Sequence, residues 1–399
     1  MDLSSVAANL RAIRAMSGAV AVMPVVKAEA YGHGMVPVAR TLAGAGADAL
    51  CVATLDEALA LRAAGIECEV LVLYPIPADG VAEAIRAGLT VASGTAASVD
   101  AVLRAADAAG ATDAARATDA AGVTGGGGGA GRLRIELEVE TGLGRGGVEP
   151  SAIVALAGRI AAAGASISGV WSHLQETEVE SITAEQIRRF DDAIDALRAA
   201  GIAIPRRHLG ASAAIVLGTV PRYDGVRPGL VTYGLIPDEL LGDETKAALP
   251  LMPDAAGLRP VLSLRARPVR VADLPAGHGV SYGPTWRAPR PSRIATLPIG
   301  YGDGWPRALS NRAQVLVRGV RAPVVGNIAM DATMVDVTDV PGPPVDLADE
   351  FVLIGRQGTD EIAAVDVARW RTTNSWEVVT SLSGRLARVY DAAAGALGS

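Results

Sequence analysis

Short apolar runs of strand length alternate with alanine-rich segments of helical periodicity over residues 1–238. Several of the helical segments end in glycine, for example at Gly44, Gly65 and Gly88, and glycine is a common helix stop signal. Strands that alternate with helices are joined by crossovers and lie parallel. Eight such runs favour a closed (β/α)8 TIM barrel, with an open doubly wound sheet as the alternative. The predicted strands are 20–28, 49–53, 70–74, 89–93, 133–139, 167–172, 207–211 and 229–235.

One segment, 105–131, interrupts this alternation. It runs from Ala, Thr and Asp residues into five consecutive glycines, 125–129. The glycines lack the Gly-Lys-Ser/Thr ending of a phosphate-binding loop, and a glycine run fixes no backbone geometry. The pattern therefore predicts a flexible insertion before the fifth strand.

The texture of the chain changes after residue 238. Prolines become frequent, and short β-rich runs follow one another with turn residues between them. This pattern predicts a second, all-β domain over 239–399, with a short helix near 363–370 and another in the tail. The predicted strands of this domain are 261–271, 293–298, 313–317, 323–325, 333–337 and 351–354.

Charge and composition narrow the function classes. Lys and Arg number 36 against 43 Asp and Glu, a net charge of −7, which argues against a nucleic-acid-binding surface. Uncharged apolar stretches such as 15–26 are shorter than the roughly 20 residues that span a membrane. Two cysteines, Cys51 and Cys68, cannot form a disulfide framework. We therefore expect a cytoplasmic protein.

Polar residues cluster where the predicted barrel strands end or begin. Barrel active sites gather at the carboxyl ends of the strands, so these residues are candidates for one site, although each alone could be a cap or a satisfied polar group. A lysine in this position is a candidate for covalent catalysis, because desolvation lowers its pKa. Lys27 ends the first strand, Arg145 follows the fifth, His173 ends the sixth, Ser212 follows the seventh, and Arg227 and Gly229 precede the eighth.

Four sequence blocks together resemble those of the bacterial alanine racemase family. Val-Val-Lys-Ala-Glu-Ala-Tyr-Gly-His-Gly contains Lys27 and Tyr31, and Gly-Val-Ser-Tyr-Gly contains Tyr282. Ile-Gly-Tyr-Gly-Asp-Gly contains Tyr301, and Asn-Ile-Ala-Met-Asp ends in Met330 and Asp331. The blocks have the family's order, and the match extends over nearly the whole chain.

The resemblance implies a barrel-plus-β-domain enzyme that uses pyridoxal 5'-phosphate and no metal. It implies a homodimer with shared active sites, in which Lys27 binds the cofactor and acts as acid and base on one face of the substrate. Tyr282 from the partner subunit would act on the other face. By the same resemblance, Arg227 would meet the ring nitrogen, Arg145 the phenolic oxygen, His173 the ring and Met330 the substrate carboxylate. Tyr31, Ser212, Gly229, Leu230 and Tyr301 would hold the phosphate.

The chain departs from the family pattern in several places, and two of these departures concern predicted supporting residues. Many relatives carry a carbamate-modified lysine seven residues before the loop arginine, where this chain has Glu138. A carboxylate would supply the same negative charge, so we expect Glu138 to orient Arg145. Trp376 stands where a tyrosine is expected, which would reshape the substrate pocket. Glu138, Asp331 and Trp376 are therefore predicted supporting residues.

The sequence thus predicts a racemase that interconverts L-alanine and D-alanine with two bases and supplies D-alanine for peptidoglycan. The small-molecule substrate would be its partner, with neither nucleic acid nor membrane involved. The alternatives are an amino-acid racemase of broader specificity, a barrel-type amino-acid decarboxylase and a non-catalytic pyridoxal-phosphate carrier.

Overall fold

A computed structural model describes residues 1–110, 132–242 and 247–391. The chain divides into two compact units. The barrel unit consists of Val6–Ala30 and Met35–Leu258, and the β unit consists of Met1–Ser5, Tyr31–Gly34 and Arg259–Ser399. The sequence pattern changes at 238/239 because the alternation of strands and helices ends there. The two compact units divide later, at 258/259.

Eight parallel strands form the sheet of the barrel unit, in the order β1-β8-β7-β6-β5-β4-β3-β2. A parallel bridge between Val25, which follows β1, and Cys51 in β2 joins the two ends of this order. The predicted barrel is confirmed, and the open-sheet alternative is excluded by this closing bridge. The strands are β1 Ala21–Val22, β2 Ala49–Val52, β3 Glu69–Val72, β4 Thr90–Ser93, β5 Arg134–Glu138, β6 Ser166–Trp171, β7 Arg207–His208 and β8 Gly225–Val226.

Helices connect these strands, and each one buries an apolar stripe. In α3, Leu55, Ala58 and Leu61 are buried, and a capping box of Thr54 and Glu57 starts the helix, which satisfies amide groups that have no partner within the helix. The helices are α1 Leu3–Ser17, of which Val6–Ser17 belongs to the barrel unit, and, wholly within that unit, α2 Met35–Gly44, α3 Leu55–Ala63, α4 Val81–Arg86, α5 Ala96–Ala108, α6 Ile153–Ala162, α7 Glu180–Ala199 and α8 Ser212–Leu217. No described helix is both long and apolar enough to cross a membrane.

Two expectations for this unit were wrong in detail. The eighth strand is Gly225–Val226, and the apolar run Leu230–Tyr233 is a fully buried 3-10 turn instead. A short run that is buried on all sides has no periodicity that separates strand from helix. Residues 105–108 of the predicted insertion belong to α5, and 111–131 lie outside the described residues.

The β unit is built of β-sheets, as predicted, and the structure shows that their strands pair antiparallel. One sheet has the order β10-β11-β14, and the other has the order β13-β12-β15-β16 with β9 paired to β15. Val280, Ile294, Val325 and Met334 form a buried cluster with Trp286 packed against it. The strands are β9 Leu264–Ala266, β10 Arg270–Leu274, β11 Ser292–Leu297, β12 Gln314–Val317, β13 Val320–Pro323, β14 Thr333–Asp336, β15 Phe351–Gln357 and β16 Asp360–Ile362, followed by helices α9 Ala364–Arg371 and α10 Ser375–Thr380.

Candidate active site

Lys27 lies at the carboxyl end of the first barrel strand, where the sequence placed it. The segment that leads to it is held by backbone hydrogen bonds from Val25 to Pro228 and from Val26 to Cys51, both 2.8 Å. Burial lowers the pKa of Lys27, and the nearby Arg145 guanidinium lowers it further. Among the described residues, no hydrogen bond or ion pair reaches its ammonium group. Lys27 is therefore the reactive type of lysine, half-buried with a free amine.

A left-handed turn follows this lysine directly. Ala28, Glu29, Ala30 and Tyr31 have φ angles of 52–54°, a conformation that costs L residues about 1–2 kcal/mol each. The Glu57 carboxylate accepts the Ala28 amide at 2.7 Å, and it also accepts the two amides that precede α3. Glu57 thus fixes the backbone beside Lys27. The sequence analysis missed this role, although the capping box at Thr54 is visible in the sequence.

Glu138 and Arg145 come together as expected. Arg145 Nη2 lies 3.9 Å from Glu138 Oε1, and the glutamate side chain is 13% exposed. Burial raises the pKa of Glu138, and the charge of Arg145 opposes that rise. The arginine side chain is 42% exposed and its guanidinium also lies 6.0 Å from the Tyr74 ring. Glu138 can therefore orient the Arg145 guanidinium while the Arg145 side chain remains partly exposed.

Arg227 and Gly229 follow β8 rather than precede it, so they lie at the same end of the barrel as Lys27. The Arg227 side chain is buried, and its Nη2 donates to the Ser172 carbonyl at 2.6 Å. Its guanidinium carbon also lies 4.8 Å from the centre of the Trp171 ring. Burial lowers the pKa of Arg227 to about 10, so the guanidinium remains charged at neutral pH.

A chain of hydrogen-bonded polar side chains in the barrel interior holds Arg227 in place. The sequence analysis did not predict it. Arg227 Nη1 donates to His208 Nδ1, and His208 Nε2 lies 2.8 Å from Glu136 Oε2. Glu136 in turn accepts two bonds from Arg206, at 2.7 and 3.2 Å. A guanidinium only donates hydrogen bonds, so Nδ1 must accept and the His208 proton must sit on Nε2. His208 is therefore neutral, and burial indeed lowers its pKa to about 4 against the opposing charge of Glu136.

His173 lies two residues beyond β6, close to the cationic side chains. Burial, together with the charges of Arg227, Arg145 and Lys27, lowers the pKa of His173 to about 3. Its carbonyl accepts a hydrogen bond from Gln186 at 3.2 Å, which fixes the backbone there. The imidazole is consequently a neutral ring beside three cations.

Ser212, Gly229 and Leu230 meet where β7 and β8 end. Ser212 Oγ accepts the amides of Gly229 at 3.0 Å and Val231 at 3.4 Å. A hydroxyl that accepts twice still has its own proton to donate. Ser212 is therefore placed to donate to an anionic oxygen, and the buried Leu230 lies in the turn next to it.

The remaining predicted residues belong to the β unit, and so does Tyr31 at the end of the left-handed turn. Tyr282 is 77% exposed, Met330 53% and Tyr301 45%. Asn327 Nδ2 donates to the carbonyls of Tyr282 at 2.8 Å and Gly283 at 3.1 Å, so the tyrosine loop is anchored although its side chain is free of the core. Trp376 is half-buried in α10.

The barrel site therefore combines a free lysine, two arginines, a neutral histidine and a hydroxyl donor. This donor set suits a ligand with several negative charges and a ring, and it fits pyridoxal 5'-phosphate. The lysine can form a covalent bond to a carbonyl carbon, and the arginines can hold oxygen or nitrogen acceptors without losing protons.

Two family models match the chain, one after the other. Residues 1–237 match the family model of the alanine racemase N-terminal domain, and 261–390 match that of the C-terminal domain. The chain is 40% identical to an alanine racemase from Symbiobacterium thermophilum, over 98% of this chain and 96% of the relative. It is 38% identical to one from Mycobacterium tuberculosis, over 98% and 94%.

Solved structures give the same result. Alanine racemase from Streptomyces lavendulae superposes with a TM-score of 0.86 at 36% identity, covering 98% of this chain and 96% of that one. The enzyme from Bacillus anthracis with bound L-Ala-P superposes with a TM-score of 0.82 at 30% identity, covering 98% and 94%. Two domain models, full-length relatives and the barrel-plus-β architecture agree, and the chain belongs to the alanine racemase family.

Proposed function

We propose that this chain interconverts L-alanine and D-alanine, with Lys27 and Tyr282 as the two acid–base residues and pyridoxal 5'-phosphate as cofactor. The half-buried Lys27 ammonium, which has no described partner and lies near two arginines, carries the proposal. Racemisation removes an α-proton from one face and delivers a proton to the other, so it requires two opposed acid–base groups. Bound pyridoxal 5'-phosphate supplies the electron sink for the α-carbon.

Barrel residues would hold the cofactor by distinct contacts. Ser212 would donate a hydrogen bond from its hydroxyl to a phosphate oxygen, with the backbone of Gly229 and Leu230 alongside. Arg145, oriented by Glu138, would donate to the phenolic oxygen. The neutral His173 imidazole would pack beside the ring. In each case the residue binds or orients and does not move a proton.

Arg227 would donate to the ring nitrogen and keep it unprotonated, because a guanidinium does not give up its proton at neutral pH. The neutral His208 behind it accepts from Nη1, which fixes the guanidinium plane. By keeping the ring nitrogen unprotonated, Arg227 would limit the spread of negative charge into the ring. The same arrangement would therefore suppress side reactions such as transamination.

The active enzyme would be a homodimer with two shared sites. The side chains of Tyr282, Tyr301 and Met330 are exposed on the β unit, as residues that a partner subunit receives must be. In a two-fold dimer each contact occurs twice, which produces two equivalent sites. Each barrel would then receive Tyr282 and Tyr301 of the partner subunit, with the backbone at Met330 binding the substrate carboxylate and Asp331 supporting it.

Two further parts of the proposal concern the substrate specificity, through Trp376, and the cellular role. A tryptophan at a position where relatives carry a tyrosine makes broader amino-acid specificity the alternative to strict alanine racemisation. A cytoplasmic location and the supply of D-alanine for peptidoglycan stay predictions from the sequence and the family.

A polarimetric assay tests the proposed function. Purified chain with pyridoxal 5'-phosphate should abolish the optical rotation of L-alanine without release of CO2, and a panel of serine, lysine and arginine should show slower turnover. Release of CO2 would indicate the decarboxylase alternative, and an absorbance band without turnover would indicate a carrier.

Tyr282→Phe is expected to affect the two enantiomers unequally. Phenylalanine keeps the ring and removes the hydroxyl, which is worth roughly 10²–10⁴-fold as an acid–base group. Lys27 would still reach the α-proton of D-alanine, whereas L-alanine would lose its base. Solvent deuterium uptake into each enantiomer is the measurement, and equal slowing of both would assign Tyr282 a structural role.

Glu138→Gln is expected to reduce kcat/KM about ten-fold, which corresponds to about 1.4 kcal/mol of lost transition-state stabilisation. Glutamine keeps the shape of the side chain but removes the charge that faces Arg145. Added bicarbonate should not restore the activity, because no carbamate is involved. Glu149→Gln is the matched control, since Glu149 is 63% exposed and pairs with Arg189 at 3.0 Å on the surface. Wild-type activity that rises with bicarbonate would contradict the role of Glu138.

A further inference from the structure

Arg385 joins two loops of the β unit through a pair of carboxylates. Its Nε donates to Asp303 Oδ1 at 2.6 Å, and its Nη2 donates to Asp303 Oδ2 at 3.2 Å and also to Asp331 Oδ1. The Asp303 side chain is 4% exposed, whereas that of Asp331 is 63% exposed. One guanidinium therefore binds a buried carboxylate and a surface carboxylate at the same time, a geometry that a planar fork of donors permits.

The two loops carry predicted site residues. Tyr301 begins the 3-10 turn Tyr301–Asp303, and Met330 directly precedes Asp331. Backbone bonds run from Tyr301 to the Ala329 carbonyl at 3.0 Å and from Gly302 to the Met330 carbonyl at 2.9 Å.

The two loops pack closely against each other at Gly300. A Cβ at Gly300 would overlap the carbonyl oxygen of Ala329 and the backbone of Met330. Asp303 also closes its own loop by accepting the Gly300 amide at 2.9 Å. The backbone amide of Ser383 donates to the Asp303 carbonyl at 3.0 Å. Arg385 thus binds the outer side of a tightly packed pair of loops.

We infer that Arg385 is a positioning residue for the active site of the partner subunit, acting through the loops of Tyr301 and Met330. Arg385 holds the tyrosine hydroxyl and the Met330 backbone amide in one fixed relation, so that phosphate and substrate carboxylate are bound together. This inference rests on the proposed function and on its shared site.

Electrostatics explains why the guanidinium is required. Arg385 holds the pKa of Asp303 below its usual range, mainly through the hydrogen bonds between them. Asp303 and Asp331 are both within reach of one guanidinium, so they lie close to each other. Without Arg385 the two carboxylates would repel each other and move the loops apart. A misplacement of about 1 Å in such a site can cost about 10²-fold.

Arg385→Met is the first test. We expect KM for alanine to rise about ten-fold or more while kcat falls less, and we expect the Kd for pyridoxal 5'-phosphate, measured by absorbance titration of the cofactor-free protein, to rise by a similar factor. Arg385→Lys should recover only part of this loss, because an ammonium cannot bind both carboxylates in the same geometry.

Two further variants separate positioning from folding. Arg356→Met is the matched control, because Arg356 is 75% exposed and forms a surface ion pair with Glu361 at 2.6 Å in the same unit. It should have wild-type kinetics. Asp331→Asn removes only the exposed half of the bridge, so it should fold normally and still raise KM. Wild-type KM in both Arg385→Met and Asp331→Asn would overturn the inference.

Heterodimers made by co-expression with two different affinity tags locate the effect. In the heterodimer of Arg385→Met with Lys27→Ala, only one site has an intact Lys27. The loops of Tyr301 and Met330 at that site belong to the Lys27→Ala chain, which has Arg385, so the KM should be wild-type. In the heterodimer of Arg385→Met with Tyr282→Phe, only one site has an intact Tyr282. The loops of Tyr301 and Met330 at that site belong to the Arg385→Met chain, so the KM should be raised. Equal KM values in the two pairs, or the reverse order, would overturn the inference.

A failure of the proposed function would give a different result from a failure of this inference. A wild-type chain that does not racemise alanine would overturn the proposed function and this inference with it. A wild-type chain that racemises normally beside an Arg385→Met variant of unchanged kinetics would overturn the inference alone.

Discussion

Replacing Lys27 with alanine is expected to abolish racemisation and to remove the absorbance band of the lysine-bound cofactor. The chain has two lysines, Lys27 and Lys246, so few amines can form a covalent bond to pyridoxal 5'-phosphate. Burial and the charge of Arg145 lower the pKa of Lys27, which increases the fraction of neutral, nucleophilic amine. Loss of this acid–base group costs roughly 10²–10⁴-fold by itself.

The measurements are the visible absorbance of the purified variant and polarimetry with L-alanine. Lys246→Ala is the matched control and should retain both the band and the activity. Borohydride reduction of the wild-type enzyme, followed by peptide mass spectrometry, should place the added mass on the peptide with Lys27. A Lys27→Ala variant that keeps the parental band would refute the assignment.

Mixing two inactive variants, Lys27→Ala and Tyr282→Phe, is expected to restore about a quarter of the wild-type activity. If each site combines Lys27 of one subunit with Tyr282 of its partner, a heterodimer contains one site with both defects and one intact site. Random exchange makes about half of the dimers mixed, and half of their sites are intact. The exposed position of Tyr282 on an anchored loop is what a residue donated to a partner requires.

Subunit exchange must be verified by native mass spectrometry, and the activity should rise with the fraction of heterodimer. Each variant mixed with itself is the control and should remain inactive. If both groups acted within one chain, every site in the mixture would carry one defect. Exchange without recovered activity would therefore refute the shared site.

Local pattern alone was sufficient for the barrel and for the first candidate residues. Strand and helix periods are properties of neighbouring residues, so the alternation over residues 1–238 predicted the parallel barrel that the structure confirms. A strand-end lysine is likewise visible from its neighbours, which is why Lys27 could be placed at the carboxyl end of the first strand. The resemblance to a family supplied roles for the other residues, and these roles remain proposals.

Tertiary structure decided what depends on residues far apart in the chain. The bridge between Val25 and Cys51 closes the barrel, and no periodicity reveals which two strand ends will meet. Arg227 meets His208, and His208 meets Glu136, because β5, β7 and β8 bring their side chains into one interior. Arg385 likewise reaches Asp303 from 82 residues away. A hydrogen-bond partner is chosen by distance and burial in the folded chain, whereas the sequence by itself determines only the local periods and chemical types from which such partners are drawn.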